Sequence, residues 1–450
     1  MTTTTYYEGL NQRLLNAVPL SARRILEVGC GSGRLADALK QQQPARFVCG
    51  VELNPAAAAI AAFRLDRVWC GDVAEVLQTM DEGHFDCVVF GDVLEHLPDP
   101  AEVLRLARRV LNQDGYVLAC IPNVQHYSVL SALLSNNFQY HDAGLLDHSH
   151  IRLFGLSGIQ KCFLDAGYLC HLFDTIKVPA PESFTNALLP ALTQLRTNAS
   201  RMLELISAYQ FIVIAERFDL PDFEVQPMSV VACVNDLNQY ENNLAASECL
   251  RGASPHEIIP VTDASSVAQG LATGMARARH DWVVLAHQDI YLPKYWPNMM
   301  QSGWHAATAT FGKVGVAGVF GLTDSGDGKR RCGRVIDRFS TLDEPPVLPA
   351  RGSSLDEIVL TFKRDMIPVV DSAFGFHMYG SEACCESARR GFASVVVDAP
   401  CLHNSAGDYS LPPAFFDSAR HFVTRYPDYL PYISPCATIH DADNIELLSG

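Results

Sequence analysis

The sequence predicts an α/β protein of two domains, and three observations carry that prediction. Through the first half, apolar strand-like runs alternate with helical stretches, as in βαβ units. At residues 216–226 (ERFDLPDFEVQ) a charged, proline-containing stretch interrupts the pattern between two apolar runs. A fresh alternation then starts at Met228. The length of 450 residues exceeds one ordinary domain and agrees with this division. The expected domains are 1–218 and 228–450, joined by a linker over 219–227.

The first strand is the most informative element. Residues 25–28 (ILEV) form an apolar run that stops at Gly29, Gly31 and Gly33, and residues 34–40 (RLADALK) have helical periodicity. This reads as a buried parallel strand, a tight glycine turn and a helix opening. Glycine suits a turn whose backbone takes unusual angles and lets a ligand come close. The helix N-terminus behind it offers unpaired N–H groups to an anion. An adenosine-like ligand is the expectation.

Further strands are expected at 46–52 (RFVCGVE), 67–70 (RVWC), 85–90 (FDCVVF) and 116–121 (YVLACI), with helices at 56–65, 74–80 and 100–111 between them. The product is a parallel sheet with helices on both faces, whose ligands bind at the C-terminal strand edge. Three features fall there. Glu52 ends the second strand, where a carboxylate can accept two ribose hydroxyls. Asp72 ends the third, and residues 91–96 (GDVLEH) follow the fourth and would line a reaction chamber. One acid at a strand end is commonly only a cap or turn residue; a glycine turn, Glu52 and Asp72 at successive strand ends argue for a site. A dinucleotide site is the competitor, but its fingerprint is Gly-x-Gly-x-x-Gly, whereas this chain has Gly-x-Gly-x-Gly.

The stretches EVGCGSG, VELNP, GDV and FDCVVFGDVLEHLPDP, in this order and spacing, resemble the class I S-adenosylmethionine-dependent methyltransferases over about residues 1–218. The resemblance implies a Rossmann-like sheet and S-adenosyl-L-methionine as cofactor. It assigns Gly29, Gly31 and Gly33 to the methionine part, Glu52 to the ribose and Asp72 to the adenine, with Glu27, Leu53, Val73 and Gly91 completing the contacts. The Leu-Glu-His after the fourth strand resembles the branch acting on sugars and small molecules. The stretch 148–168 (HSHIRLFGLSGIQKCFLDAGY) resembles that branch's segment ending in a helix and a Gly-Tyr turn before the sixth strand. Residues 209–216 would be an antiparallel last strand, and 179–205 an inserted helical lid over the acceptor. Methyl transfer from a sulfonium asks mainly for alignment, and a base is needed only where the acceptor must lose a proton. The candidates are His96, Glu95, His126, His148 and His150, with His96 preferred for its place just past the fourth strand and His150 next.

In the second half, strands are expected at 228–234, 257–261, 282–286 and 394–398, and helices at 240–249, 267–279 and 383–390. Asp289, just past an apolar strand in HQDIYLP, is a simple device for holding a hard divalent cation. Glu382 and His403 follow in FHMYGSEACCESARRGF and CLHNS. Together with VTDASS, these stretches resemble the inverting, nucleotide-sugar-dependent family 2 glycosyltransferases of GT-A fold. The resemblance implies a uridine-diphosphate-linked sugar donor whose uracil meets Asp263, a Mg²⁺ or Mn²⁺ ion on Asp289 and His403, and Glu382 as catalytic base. The chain departs from the family's Asp-x-Asp, keeping only the last acid in His287-Gln288-Asp289, and carries Gly270 and Gly274 where relatives often have asparagine and small residues. Arg330, Arg331, Arg334 and Arg338 lie in a loop-like segment that offers charges to a diphosphate.

Composition narrows the partners. A formal charge of −16 argues against nucleic acid held through a basic surface. No apolar stretch approaches the ~20 residues of a membrane span, and MTTTTYYEGL lacks the layout of a secretory signal. The 14 cysteines form no Cys-x-x-Cys pair and sit mostly in apolar runs, as in a reduced, cytoplasmic protein. The expectation is a bifunctional enzyme. It would combine methyl transfer to a sugar or small-molecule acceptor with glycosyl transfer, in bacterial surface glycan or glycosylated metabolite biosynthesis. The alternative keeps the methyltransferase and makes the C-terminal domain a non-catalytic glycan-binding module.

Overall fold

The computed structural model describes residues 9–195, 198–325, 328–337, 340–344, 347–405 and 411–448. Arg338, one of the four arginines singled out above, lies outside the described residues. The chain divides into two compact units, one ending at Asp219 and one starting at Leu220.

The first unit is built on seven strands: β1 (Arg24–Val28), β2 (Phe47–Glu52), β3 (Arg67–Cys70), β4 (Phe85–Gly91), β5 (Leu111–Pro122), β6 (Tyr168–Lys177) and β7 (Ala208–Arg217). Their order is β3-β2-β1-β4-β5-β7-β6. The first five pair in parallel, while β7 runs antiparallel to both β5 and β6. Strand order therefore reverses between β1 and β4, which opens a crevice at the C-terminal ends of those two strands. Ile25, Leu26, Val88, Val89 and Phe90 are fully buried, as continuous apolar runs in a two-sided parallel sheet require.

Helix α1 (Gln12–Ala17) precedes the sheet. Helices α2 (Arg34–Gln42), α3 (Pro55–Ala61), α4 (Val73–Thr79) and α5 (Pro100–Val110) follow successive strands. The helix expected over 56–65 stops at Ala61, because Leu65 turns inward beneath the glycine turn. A Cβ on Gly33 would meet Leu65 Cδ1 at 2.4 Å. The fifth strand starts five residues earlier than expected, at Leu111. Helix α6 (Tyr127–Leu134) follows β5, α7 (Leu156–Asp165) leads to a left-handed Gly167 and β6, and α8 (Glu182–Gln194) and α9 (Ala199–Ile206) fill the predicted insertion.

The second unit carries a twelve-stranded mixed sheet. At one end of it, β8 (Met228–Cys233) lies between β10 (Trp282–Ala286) and the edge strand β9 (Glu257–Val261), parallel to both. Helix α10 (Leu237–Asn242) is shorter than the helix expected at 240–249. The amides of Asn242 and Asn243 turn back onto the carbonyls of Asn238 and Gln239, both at 2.8 Å, and compete with helix continuation. Helix α11 (Val267–Arg277) crosses β8 at close range: a Cβ on Gly270 would meet Cys233 Sγ at 2.2 Å, and one on Gly274 would meet Val231 Cγ1 at 2.4 Å. The two glycines thus serve helix–sheet packing.

Past the short strand β11 (Ile290–Tyr291) come α12 (Trp296–Phe311), β12 (Val314–Gly318), β13 (Phe320–Ser325), β14 (Gly328–Asp337) and β15 (Ser340–Glu344). The arginine-bearing segment expected as a loop is therefore strand: β14 pairs with β13 and β15, and Arg334 is committed to Asp343 and Asp398, each at 3.0 Å. Strands β16 (Ala350–Leu355), β17 (Val359–Lys363), β18 (Ala393–Val396) and β19 (Cys401–His403) complete the sheet, and α13 (Tyr379–Arg389) packs beside it. Helix α14 (Pro413–Arg425) and a three-stranded sheet close the unit around Phe374, Phe422 and Tyr426.

Candidate active sites

In the first unit, the C-terminal ends of β1, β2 and β4 open on a cavity of about 1350 Å³. Gly29, Gly31 and Gly33 all have positive φ, at 67°, 53° and 82°. A Cβ on Gly29 would also strike Val93 Cγ2 at 2.6 Å, so the turn is closed to side chains by conformation and by space. The turn is tied to β2 three times, once through the Cys30 N–H, which donates to the Val51 carbonyl at 3.1 Å. The Gly29 N–H donates to the Val51 carbonyl at 2.8 Å, and the Gly31 N–H donates to Glu52 Oε2 at 2.8 Å. The other Glu52 oxygen accepts from Asn54 N–H at 2.8 Å, so the carboxylate is oriented before any ligand arrives.

Glu27, Gly29, Gly31, Glu52, Leu53, Asp72, Val73, Gly91, His96 and His150 all line this cavity; Gly33 stands behind it, opening α2. Asp72 uses Oδ1 to cap α4, accepting from Ala74 and Glu75, so the cap reading and the site reading apply to the same residue. Glu27 is 7% exposed and its Oε2 has no hydrogen-bond partner. Burial pushes its carboxyl up to about 8, partly offset by the Ala36 N–H. A buried acid that lines a cavity and has one oxygen without a hydrogen-bond partner suits a cationic ligand group.

The base candidates separate clearly. His126 caps α6, and its Nε2 bonds the Val178 carbonyl at 3.0 Å, so it is a satisfied structural residue. His148 contacts the Tyr140 ring edge and is not part of the lining. His96 Nδ1 faces the Ser149 carbonyl at 3.1 Å and His150 Nδ1 the Leu145 carbonyl at 3.1 Å. A carbonyl only accepts, so in each neutral ring Nδ1 carries the proton and Nε2 keeps its lone pair. The two rings meet edge to face at 4.9 Å. Glu95 is 1% exposed, its Oε1 stands 4.0 Å from His150 Nε2, neither carboxylate oxygen has a hydrogen-bond partner, and burial holds its carboxyl well above the usual range. Burial also lowers His96.

Sequence reasoning missed several wall residues. Asn11 stands in the wall, as do Ala143, Gly144 and Asp147 of the loop before His150, and Tyr209 and Gln210 of β7. Gln210 hydrogen-bonds Asp92, which adopts a left-handed φ of 55° unusual for a non-glycine residue. Among the described residues of 179–205 none lines the cavity, so the lid expected there is not seen over it.

In the second unit, a cavity of about 260 Å³ is lined by Thr262, Ala264, His287, Gln288, Asp289 and His377, among others. Strand β11 pairs antiparallel with β19, setting Ile290 opposite His403, and β14 sets Asp337 opposite His403 from the other side. The outcome is Asp289 Oδ1 at 3.5 Å from His403 Nε2 and Asp337 Oδ1 at 3.4 Å from His403 Nδ1. Burial works against a charged imidazole here, yet the two aspartates push His403 up to about 10. Burial alone would raise Asp289, but His403 and His287 hold its carboxyl well below the ordinary range. Asp263 is exposed and stands beside the cavity, between the lining residues Thr262 and Ala264. Glu382 is fully buried in the first turns of α13 and is not part of the lining. Its carboxylate accepts from Asp371 N–H at 3.1 and 3.2 Å, and burial pushes it up to about 7.

A glycine turn tied to an acid at the next strand end, in a sheet whose last strand is antiparallel, defines a nucleoside-binding α/β unit of the methyltransferase type. Residues 4–171 match the family model described as a methyltransferase domain, and residues 229–415 match a glycosyltransferase-like family. The chain therefore carries a methyltransferase domain followed by a glycosyltransferase-like domain.

Similar proteins include the ubiquinone biosynthesis O-methyltransferase of Alkalilimnicola ehrlichii, 32% identical over 124 residues that cover 26% of this chain and 49% of that one. The protein of the same description from Aliivibrio fischeri is 31% identical over 132 residues, covering 28% and 55%. The chain thus spans about half the length of the curated relatives it matches. Solved structures with a similar fold include an S-adenosylmethionine-dependent methyltransferase from Archaeoglobus fulgidus, with TM-score 0.34, 18% identity and coverage of 46% of this chain and 92% of that one. Another is a possible histamine N-methyltransferase from Thermotoga maritima, with TM-score 0.33, 16% identity and coverage of 46% and 87%. Among the described residues, no helix is long and apolar enough to cross a membrane.

Proposed function

We propose that this chain is a bifunctional enzyme of the bacterial cytoplasm that builds and methylates a surface glycan or a glycosylated metabolite. Residues 1–218 would transfer a methyl group from S-adenosyl-L-methionine to a sugar or small-molecule acceptor. Residues 228–450, after the linker 219–227, would transfer a sugar from a nucleotide-sugar donor, with uridine diphosphate as the carrier. None of the 14 cysteines, all of them among the described residues, is in a disulfide, which supports a reducing compartment.

The observation that carries the methyltransferase reading is Glu27, a buried acid with one oxygen lacking a hydrogen-bond partner, which lines the same cavity as the Gly31–Glu52 turn. The bound cofactor would supply an activated methyl on a sulfonium. Glu27 would receive its ammonium group, Glu52 its ribose hydroxyls and Asp72 its adenine, with Gly29 and Gly31 admitting the chain between. His96 would take the proton from an acceptor hydroxyl or amine at Nε2, and His150 would back its ring. Turnover of a panel of hydroxyl and amine acceptors, read by mass spectrometry, tests this; no methylated product from any class would reject it.

For the second unit, the donor set of Asp289 and His403 fits Mg²⁺ or Mn²⁺, which would neutralise a leaving diphosphate. Asp263 beside the cavity would meet the uracil. Glu382, as catalytic base, would need to reach the acceptor from its buried place. That burial favours a second reading, in which this unit binds glycan without turning it over. Donor turnover by the full chain that is lost in Glu382→Gln supports catalysis. Absent turnover with intact glycan binding supports the second reading.

A further inference from the structure

We propose that His287 is a third protein ligand of the cation site formed by Asp289 and His403, and that Tyr379 presets it for that role. The centre is then two imidazoles and one carboxylate, and it takes Mn²⁺, Co²⁺ or Zn²⁺ in preference to Mg²⁺. This rests on the reading of the second unit as cation-dependent.

A single hydroxyl fixes the proton on His287. Tyr379 Oη lies 2.9 Å from the Glu357 carbonyl oxygen and 2.9 Å from His287 Nε2. The carbonyl can only accept, so the one hydroxyl proton of Tyr379 points there. What remains on Oη is an acceptor, and His287 Nε2 must donate to it. A neutral imidazole with its proton on Nε2 has a bare lone pair on Nδ1. That Nδ1 is the atom facing Asp289 Oδ1, at 3.9 Å.

His403 is arranged the same way with its nitrogens exchanged. Nδ1 faces Asp337 Oδ1 at 3.4 Å, Asp337 is steadied by the Ser405 hydroxyl at 3.1 Å, and Nε2 faces Asp289. Each histidine engages an acceptor with its far nitrogen and turns the near one toward the same carboxylate. Outer-shell partners orient metal-binding histidines in this manner. One ligand atom from each of His287, Asp289 and His403 lies within 4.8 Å of the others.

Gln288 between them takes no part. Its Oε1 accepts from the N–H groups of Asn235 and Asp236, both at 3.0 Å, and its amide donates to Asn235 Oδ1 at 2.6 Å. The alternation of HQD thus sends residues 287 and 289 to the cation and residue 288 to the loop after β8. Imidazole ligands suit borderline transition metals, whereas Mg²⁺ favours all-oxygen sites. Three protein ligands leave positions for diphosphate oxygens.

The test uses the full chain stripped of metal by chelation, with Mn²⁺ binding followed by calorimetry and by loss of the free-ion paramagnetic resonance signal. The expected result is one Mn²⁺ per chain at the site and displacement by Co²⁺ or Zn²⁺ but not by equimolar Mg²⁺. His287→Ala should weaken Mn²⁺ by about tenfold or more, and Tyr379→Phe by a smaller factor with unchanged stoichiometry. His440→Ala, remote from the site, is the control. His287→Asp should move the preference toward Mg²⁺, a gain that an unfolded variant cannot mimic. Wild-type Mn²⁺ affinity in His287→Ala, together with loss in Asp289→Asn, would overturn the role of His287 and leave the cation-dependent reading standing. Absence of Mn²⁺ binding by the wild type, with or without uridine diphosphate, would overturn both.

Discussion

The backbone N–H of Gly31 donates to the Glu52 carboxylate at 2.8 Å, joining the glycine turn after β1 to the end of β2. One acid thereby shapes the turn and presents its remaining lone pairs to the cavity. Glu52→Gln keeps the size but offers at most one acceptor oxygen. We predict that S-adenosylhomocysteine affinity falls by roughly 10-fold or more, since bonds to a charged group are worth about 1.5–3 kcal/mol. Calorimetry on the folded variant measures it; unchanged affinity would remove Glu52 from the ribose site.

Glu27 predicts a pH dependence of cofactor binding. Its free-state carboxyl lies at about 8, raised by burial, and an ammonium beside it would lower it. Binding therefore favours the ionised form, so affinity rises with pH up to about 8 and protons are released on binding near neutrality. The same raised value makes Glu27 a stability cost that grows as pH rises from the unfolded value toward 8. Glu27→Gln should lose the pH-dependent binding while melting no lower than wild type at pH 8. Wild-type-like affinity and proton release in the variant would contradict the assignment.

His96 predicts a second profile. As the base it must be neutral, and burial lowers its value below 6.5. The rate with a hydroxyl acceptor should be flat above neutrality and fall as pH drops through that lowered value. His96→Gln should reduce kcat by about 10²–10⁴ with cofactor affinity intact. A variant that retains both rate and pH profile would move the role to His150.

Gly274 tests the packing of the second unit. Its Cβ would meet Val231 Cγ1 at 2.4 Å and Cγ2 at 2.7 Å, both on a buried strand. Gly274→Ala gains up to about 1 kcal/mol of helix propensity but overpacks the α11–β8 contact, which costs about 1–3 kcal/mol. A lower Tm is expected by calorimetric scanning; a higher one would show that the helix shifts freely.

What the sequence revealed and what it hid follow from how far apart in the chain the interacting groups lie. The β1 run, the glycine turn and the opening of α2 are contiguous, so strand, φ requirement and helix start are all written in residues 25–40. Glu52, Asp72, Gly91 and His96 are legible from where strands end, and they line one cavity. Asp337 was invisible because β14 and β19 pair across more than 60 residues, and nothing in RCGRVID announces its neighbour. Glycine and charge give residues 328–337 the look of a loop, but cross-strand pairing overrides local propensity. Glu382 lies near the start of a helix with few polar neighbours in sequence, and only the packing of Asp371 and Tyr426 around it reveals that it is buried.

The choice between S-adenosylmethionine and a dinucleotide in the first unit's cavity is open to calorimetry of the full chain with S-adenosylhomocysteine and with NAD. The prediction is saturable binding of S-adenosylhomocysteine, weakened in Glu52→Gln, and no heat from NAD. Saturable binding of NAD without any of S-adenosylhomocysteine would contradict it.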